Sequence, residues 1–242
     1  MSDSLGDRIK SYEHATRTVL PNRFPVICRV DGRAFHTLTK NCEKPFDAKL
    51  MAAMDTCAIT LCEEIQGAQI AYVQSDEISI LIHSYKTFDS QPWFGNQVQK
   101  MTSVSAGIAS SVMTEQSINV FGEFKRAVFD ARVFIVPEAD VNNTMLWRQK
   151  DWERNSVQML ARAHFSHKEC TNKNNHELQD MLHTIGVNWN DLPTSHKRGR
   201  CIVKEIYMVE SASRSRWVVD NEIPIFSQDK NYIEKYLELE QC

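Results

Sequence analysis

The chain has 242 residues, of which 42% are hydrophobic and 24% charged, and its net charge is −3. That length supports one large domain or two small ones with a real core. The charge balance excludes a globally basic nucleic-acid binder, so any nucleic-acid surface must be a local patch.

The first residues, Met1 to Asp7, are polar and acidic and lack the basic start and apolar run of a signal peptide. No stretch approaches the roughly 18 apolar residues that span a bilayer. The seven cysteines are odd in number, scattered, and never spaced C-x-x-C. They are expected to be free thiols in a reducing cytoplasm, not a disulfide framework or a structural zinc site.

Residues 24–30 read as a buried strand that breaks at Asp31-Gly32. Asp47 is placed to cap a helix whose apolar stripe runs through Leu50, Met54, Cys57, Leu61 and Ile65. Residues 68–74 and 77–83 read as two strands joined by a tight hairpin with acids at its tip. A helix over 97–114 and a strand over 131–136 complete the order β-α-β-β-α-β. That is the ferredoxin-like arrangement, with the first strand beside the hairpin and both helices on one face. The fold class expected is therefore α+β. Pro137 marks a boundary between a palm-like part, 1–136, and a helical and β part, 137–242, packed on it as one unit. The second part is expected to hold helices at 145–165 and 174–185, strands at 201–209 and 215–220, and an acidic helical tail from Tyr232 to Cys242.

This topology brings Asp31 and Asp76-Glu77 together from positions 45 apart in sequence. Carboxylates held close repel unless they are protonated or share a cation. Magnesium is the natural cation, since it takes one or two carboxylates together with waters and phosphate oxygens. Two such ions serve phosphoryl transfer. Gly32 lets the backbone approach a metal or phosphate, and its carbonyl is a candidate ligand. The N–H groups of Arg33, Ala34 and Phe35 are candidates for an anion nest. Lys40 and Lys44 are candidate triphosphate contacts, and Phe35 and His36 candidate base contacts. Singly, Asp-Gly is a common turn pair and a hairpin acid a common solubiliser. This much leaves polymerases and nucleotide cyclases unseparated.

The segments Arg29-Val-Asp-Gly-Arg-Ala-Phe-His36, Lys44-Pro-Phe-Asp47, Ala71-Tyr-Val-Gln-Ser-Asp-Glu77 and Trp147-Arg-Gln149 resemble the tRNA(His) guanylyltransferase family, which adds nucleotides in the 3′-to-5′ direction. The resemblance implies a polymerase-type palm with an added helical part, commonly assembled as a homotetramer. Asp31 and Asp76 match the metal-bridging aspartates, Gly32 the carbonyl ligand, and Glu77 an acid beside the two Mg2+ ions. Residues 31–36 (Asp31, Gly32, Arg33, Ala34, Phe35 and His36), Asp47 and Ser75-Asp76 match nucleotide-binding segments. Lys44 matches a lysine that meets the triphosphate of GTP, ATP or another nucleotide.

Two departures matter. Ala34 stands where eukaryotic members usually carry Asn. Glu153 stands where they carry the His of a segment associated with selecting tRNA(His). The pattern resembles the "like-protein" branch, which repairs 5′-truncated tRNAs against the opposite strand. A tRNA partner then requires a basic patch, for which Arg148, Lys150, Arg154, Arg162, Lys168, Lys197 and Arg198 are the main candidates. Lys125-Arg126, Lys173 and Arg200 are further ones. The rival readings are a nucleotide or dinucleotide cyclase and a non-catalytic tRNA-binding module.

Overall fold

The computed structural model describes residues 4–85, 89–210 and 212–238. Helix α1 (Leu5–His14) opens the chain, capped by Ser4, and buries none of its residues. It has no counterpart among the sequence expectations. Strand β1 (Val26–Gly32) follows, then the single turn α2 (Phe35–Leu38) and helix α3 (Ala48–Glu64). Strands β2 (Ala68–Gln74) and β3 (Glu77–Ile82) form the hairpin. Helix α4 (Val98–Phe121) runs past residue 114 to a left-handed Gly122 cap, and β4 is Phe129–Ile135.

Helix α5 (Glu138–His164) begins directly after Pro137. That is seven residues earlier than expected, because proline suits a helix start and Glu138 and Asp140 favour its first turn. Short α6 (His167–Cys170), α7 (Asn175–Thr184) and α8 (Thr194–Arg198) lead to β5 (Arg200–Val209) and β6 (Ala212–Asp220). Both strands are longer than the sequence pattern suggests. Of the expected tail helix, only the turn α9 (Asn231–Glu234) forms, and residues 239–242 lie outside the described set.

The sheet order is β4-β1-β3-β2-β5-β6, all antiparallel. The first four strands form the ferredoxin-like core, and β5 adds to its β2 edge. Residues after 137 therefore contribute strands to the same sheet as residues before it.

Strand alternation divides the interior in two. Cys28, Val30, Val73, Ile78 and Ile80 pack with α3 and α4 residues such as Met54, Leu61, Met101 and Ala109. On the opposite face Ile27, Tyr72 and Leu81 pack with Val141 and Met145 of α5 and with Phe226. The far half of α5 leaves the sheet and makes a third small core of Val157, Leu160 and Ala161 with Leu178 and Leu182 of α7. Helix α5 thus links the underside of the sheet to the helical reversal beyond it.

Candidate active site

The chain end of β1 and the tip of the β2–β3 hairpin meet. Strand β1 pairs with β3, bringing Asp31 opposite Glu77. The Gly32 N–H donates to the Asp76 carbonyl at 3.0 Å. A side chain at position 32 could not be accommodated: a Cβ there would stand 2.3 Å from the Phe35 ring. Phe35 is itself buried and packs edge-on against Phe129, with centroids 5.0 Å apart. Residue 32 is glycine because α2 turns back tightly over it.

Two backbone positions at this junction are left-handed, Ala34 (φ 56°) and Ser75 (φ 45°). Left-handed backbone is costly for residues with a Cβ and least so for Asn and Asp. Asn would suit position 34 better than Ala for that reason.

Asp31 is half-buried, and its side chain makes no hydrogen bond or ion pair with a described residue. Burial raises its pKa above the usual carboxylate value. The charges of Glu77 and Asp130 add to the rise, and Arg132 and Arg29 oppose it. For Asp76, burial pushes the pKa up to about 6, against the hydrogen bond from Ser75 and with further repulsion from Asp31 and Glu77.

Glu77 behaves differently. Its carboxylate is gripped by both ends of the Arg148 guanidinium, Nε to Oε1 at 2.6 Å and Nη2 to Oε2 at 2.7 Å. Arg148 also donates to Asp151 at 2.9 Å, and Asp151 in turn takes Arg154. Glu77 thus has an internal counter-ion. One expectation is corrected: Arg148 is buried beneath the hairpin rather than presented to RNA. Its neighbour Trp147 is the exposed member of the Trp-Arg-Gln segment.

A pocket of about 350 Å³ opens beside Asp76. Its walls include Gly32, Ala34, Phe35, His36, Lys44, Asp47 and Ser75, so most of the expected nucleotide-binding residues share one cavity. Lys44 is exposed, with its ammonium 3.3 Å from the Thr39 carbonyl. Asp47 caps α3: its Oδ1 accepts from the N–H groups of Lys49 and Leu50, and its Oδ2 from that of Glu43, all at 2.9 Å. Burial alone would raise the Asp47 pKa, but these three donors outweigh it and hold the group below the usual carboxylate value. Its primary work is thus structural, although it lines the cavity.

Arg33 lies outside this pocket, exposed, in a shallow depression shared with Thr37, Arg126 and Val128. Its N–H is spent on the Val128 carbonyl at 2.8 Å, which removes it from the expected anion nest.

The sequence pattern missed several wall residues. Phe46, Met51 and Trp152 line the cavity as apolar surface, and Arg200 reaches it from β5. Arg200, grouped above with RNA contacts, is 2% exposed and pairs with Asp55 of α3 at 2.6 Å. The indole N–H of buried Trp152 has no hydrogen-bond partner among the described residues. Only the distance between β1, α3 and α5 in sequence hides this convergence.

The remaining cations divide by surroundings. Lys150, Arg154, Arg162 and Lys168 are exposed. Lys197 reaches the Asn190 carbonyl, and the half-buried Arg198 leans on that of Ile223 at 3.4 Å. Lys125 pairs with Glu123 at 3.2 Å.

Comparison with known proteins agrees with this geometry. The family model described as tRNAHis guanylyltransferase matches residues 6–137, more than half of the chain. A bacterial tRNA(His) guanylyltransferase-like protein in complex with ATP superposes with a TM-score of 0.92 at 46% identity, over 98% of this chain and all of that one. A GTP complex of such a protein gives 0.87 at 45% over the same shares. The probable tRNA(His) guanylyltransferase of Drosophila melanogaster is 27% identical over 94% of this chain and 83% of its own. Fold, pocket and sequence together establish that the chain belongs to the tRNAHis guanylyltransferase family of nucleotidyltransferases.

Proposed function

We propose that the chain adds nucleotides in the 3′-to-5′ direction to the 5′ end of tRNA. In this reading it copies the opposite strand to repair truncated ends, using GTP, ATP or other nucleoside triphosphates and two Mg2+ ions. The observation that carries this is Asp76 in the wall of a nucleotide-sized pocket, with Asp31, which has no counter-ion, next to the Gly32 that also lines it.

The donor set suits magnesium. Two carboxylates and the Gly32 carbonyl are all hard oxygen donors. Among the described residues no three His, Cys, Asp or Glu side chains gather into a ready cage. Magnesium needs none, because it keeps waters and substrate phosphates in its shell. Bound there, the ions would supply Lewis-acid stabilisation of the attacking 3′-hydroxyl and the leaving pyrophosphate.

The chain's own residues provide position and charge. Asp31 and Asp76 face the α-phosphorus of the 5′ end, where the incoming 3′-hydroxyl attacks. Lys44 neutralises the triphosphate. Phe46 and Trp152 offer apolar walls to a base. No protein nucleophile is needed, so Ser75 orients through hydrogen bonds.

In the template-dependent reading, Glu153 belongs to a helix that no longer selects tRNA(His) by the eukaryotic segment. It is half-buried, and burial raises its pKa against the pull of Arg198 and Lys150. Self-assembly to a tetramer has a candidate surface in the β5–β6 hairpin, where Ile206 and Met208 are exposed. A cytoplasmic location suits the six free cysteines described, five of them buried. No helix among the described residues is long and apolar enough to cross a membrane.

The test is extension of a 5′-shortened tRNA with the opposite base varied. The reading expects the complementary nucleotide to be added in each case. Product from triphosphate and Mg2+ without RNA would favour a cyclase instead.

A further inference from the structure

At the reversal from α5 to α7, the chain gathers cations and spends its acids elsewhere. Ser166 and Asn174 each form a capping box, with Glu169 and Glu177 as the returning carboxylates. Glu169 accepts from the Ser166 N–H at 2.8 Å, and Glu177 from the Asn174 N–H at 2.8 Å. Those hydrogen bonds commit both acids to their own helix starts. Between them the chain turns through a left-handed Asn172 (φ 60°). Cys170, Leu178 and Leu182 then anchor the turn to α5.

The result is a second pocket, of about 260 Å³, walled by Arg162, His167 and Lys173 with Gln158, Thr171 and Asn172. No carboxylate lines it. The side chains of Arg162, His167 and Lys173 make no hydrogen bond or ion pair with a described residue. A smaller depression, walled by Ser75, Trp152, Asn155 and Met159, shares Gln158 and Arg162 with it. A shallow path therefore runs along α5 from the hairpin tip to the cationic pocket.

We propose that this second pocket binds a backbone phosphodiester of the RNA, holding the strand whose 5′ end lies at Asp76. The inference rests on the tRNA reading above. Unpaired cations with neutral donors around them match a phosphate, and its volume is below the roughly 300–1,000 Å³ of ordinary small-molecule sites. Such a contact positions RNA without reading sequence, as template-directed repair of many ends requires.

The experiment measures binding of a 5′-truncated tRNA to the full chain across a potassium chloride series. The double variant Arg162→Gln with Lys173→Gln should lower the slope of log affinity against log salt by about 1, the contribution of one phosphate, and each single variant by part of that. Lys230→Gln, an equal charge loss on a distant exposed turn, should leave the slope unchanged. GTP binding without RNA should not change in Lys173→Gln. A wild-type slope in the double variant would overturn the proposal and leave the tRNA reading standing. Weakened GTP binding in Lys173→Gln would assign the pocket to free triphosphate and overturn it too. A wild-type chain with no salt-dependent tRNA affinity would remove both readings.

Discussion

Two groups of acids, drawn from the hairpin tip, β1 and α5, are treated in opposite ways. Glu77 and Asp151 belong to a closed chain of ion pairs with Arg148 and Arg154. Asp31 and Asp76 have no such partners, and burial raises both of their pKa values, with added repulsion from Glu77 and Asp130 at Asp31 and from Asp31 and Glu77 at Asp76. An acid with an internal counter-ion supports the fold. In the proposed function, an acid pair left without one beside a pocket takes an external cation. That reading separates the structural carboxylates from the proposed metal-holding ones of the same chemistry.

The largest way to break this contrast is at Arg148. Removing it by Arg148→Met leaves Glu77 buried and unpaired, which should cost about 3–5 kcal/mol in denaturant unfolding. The double variant Glu77→Gln with Arg148→Met should recover most of that loss. If the double variant were as unstable as the single, the ion pair would not be the source.

A smaller effect of opposite sign is expected at Asp76. A carboxyl whose folded pKa lies above its unfolded value destabilises the fold once the pH exceeds the unfolded value. Without metal, stability should therefore fall as pH rises from about 4 to about 6. Above pH 6 the full cost, up to about 3 kcal/mol, is in place. Asp76→Asn should remove that pH dependence and raise metal-free stability at pH 7. Added Mg2+ should stabilise the wild type at pH 7 and have little effect on the variant. A metal-free stability curve flat between pH 4 and 6 would contradict the raised pKa.

The smallest change is expected at the solvent end of the network. The Arg154 side chain is 60% exposed, so its pairing with Asp151 is screened. Arg154→Gln should shift unfolding by no more than about 0.5 kcal/mol. A loss of several kcal/mol would mean that the ion-pair chain acts as one unit up to its exposed end.

Much of this arrangement was legible in the sequence. The stripe from Leu50 to Ile65 gave α3, and alternation through Ile78, Ile80 and Ile82 gave β3. The order of elements then brought Asp31 to Asp76. Three features were hidden for physical reasons. Arg148 and Lys150 are both cations on one helix, and nothing local says that the first turns under the hairpin. Arg200 sits at a strand start among Lys197, Arg198 and Gly199, and only the pairing of β5 with β2 carries it to Asp55 of α3. The wall position of Trp152 emerges only when α5 crosses from the sheet to the pocket. Spacing reveals periodic burial, but partners drawn from distant elements are revealed only by tertiary packing.

The central claim is that Asp31 and Asp76 are the acids that carry nucleotide addition and that Glu77 supports them from behind. The direct measurement is the rate of templated 5′ addition to a shortened tRNA by Asp31→Asn, Asp76→Asn and Glu77→Gln with Arg148→Met, each checked for folding. The first two should lose addition by roughly 10³-fold or more, as loss of a charge-stabilising group allows. The third should retain addition to within about tenfold. Activity surviving in both aspartate variants, or lost as completely in the double variant as in them, would contradict the account.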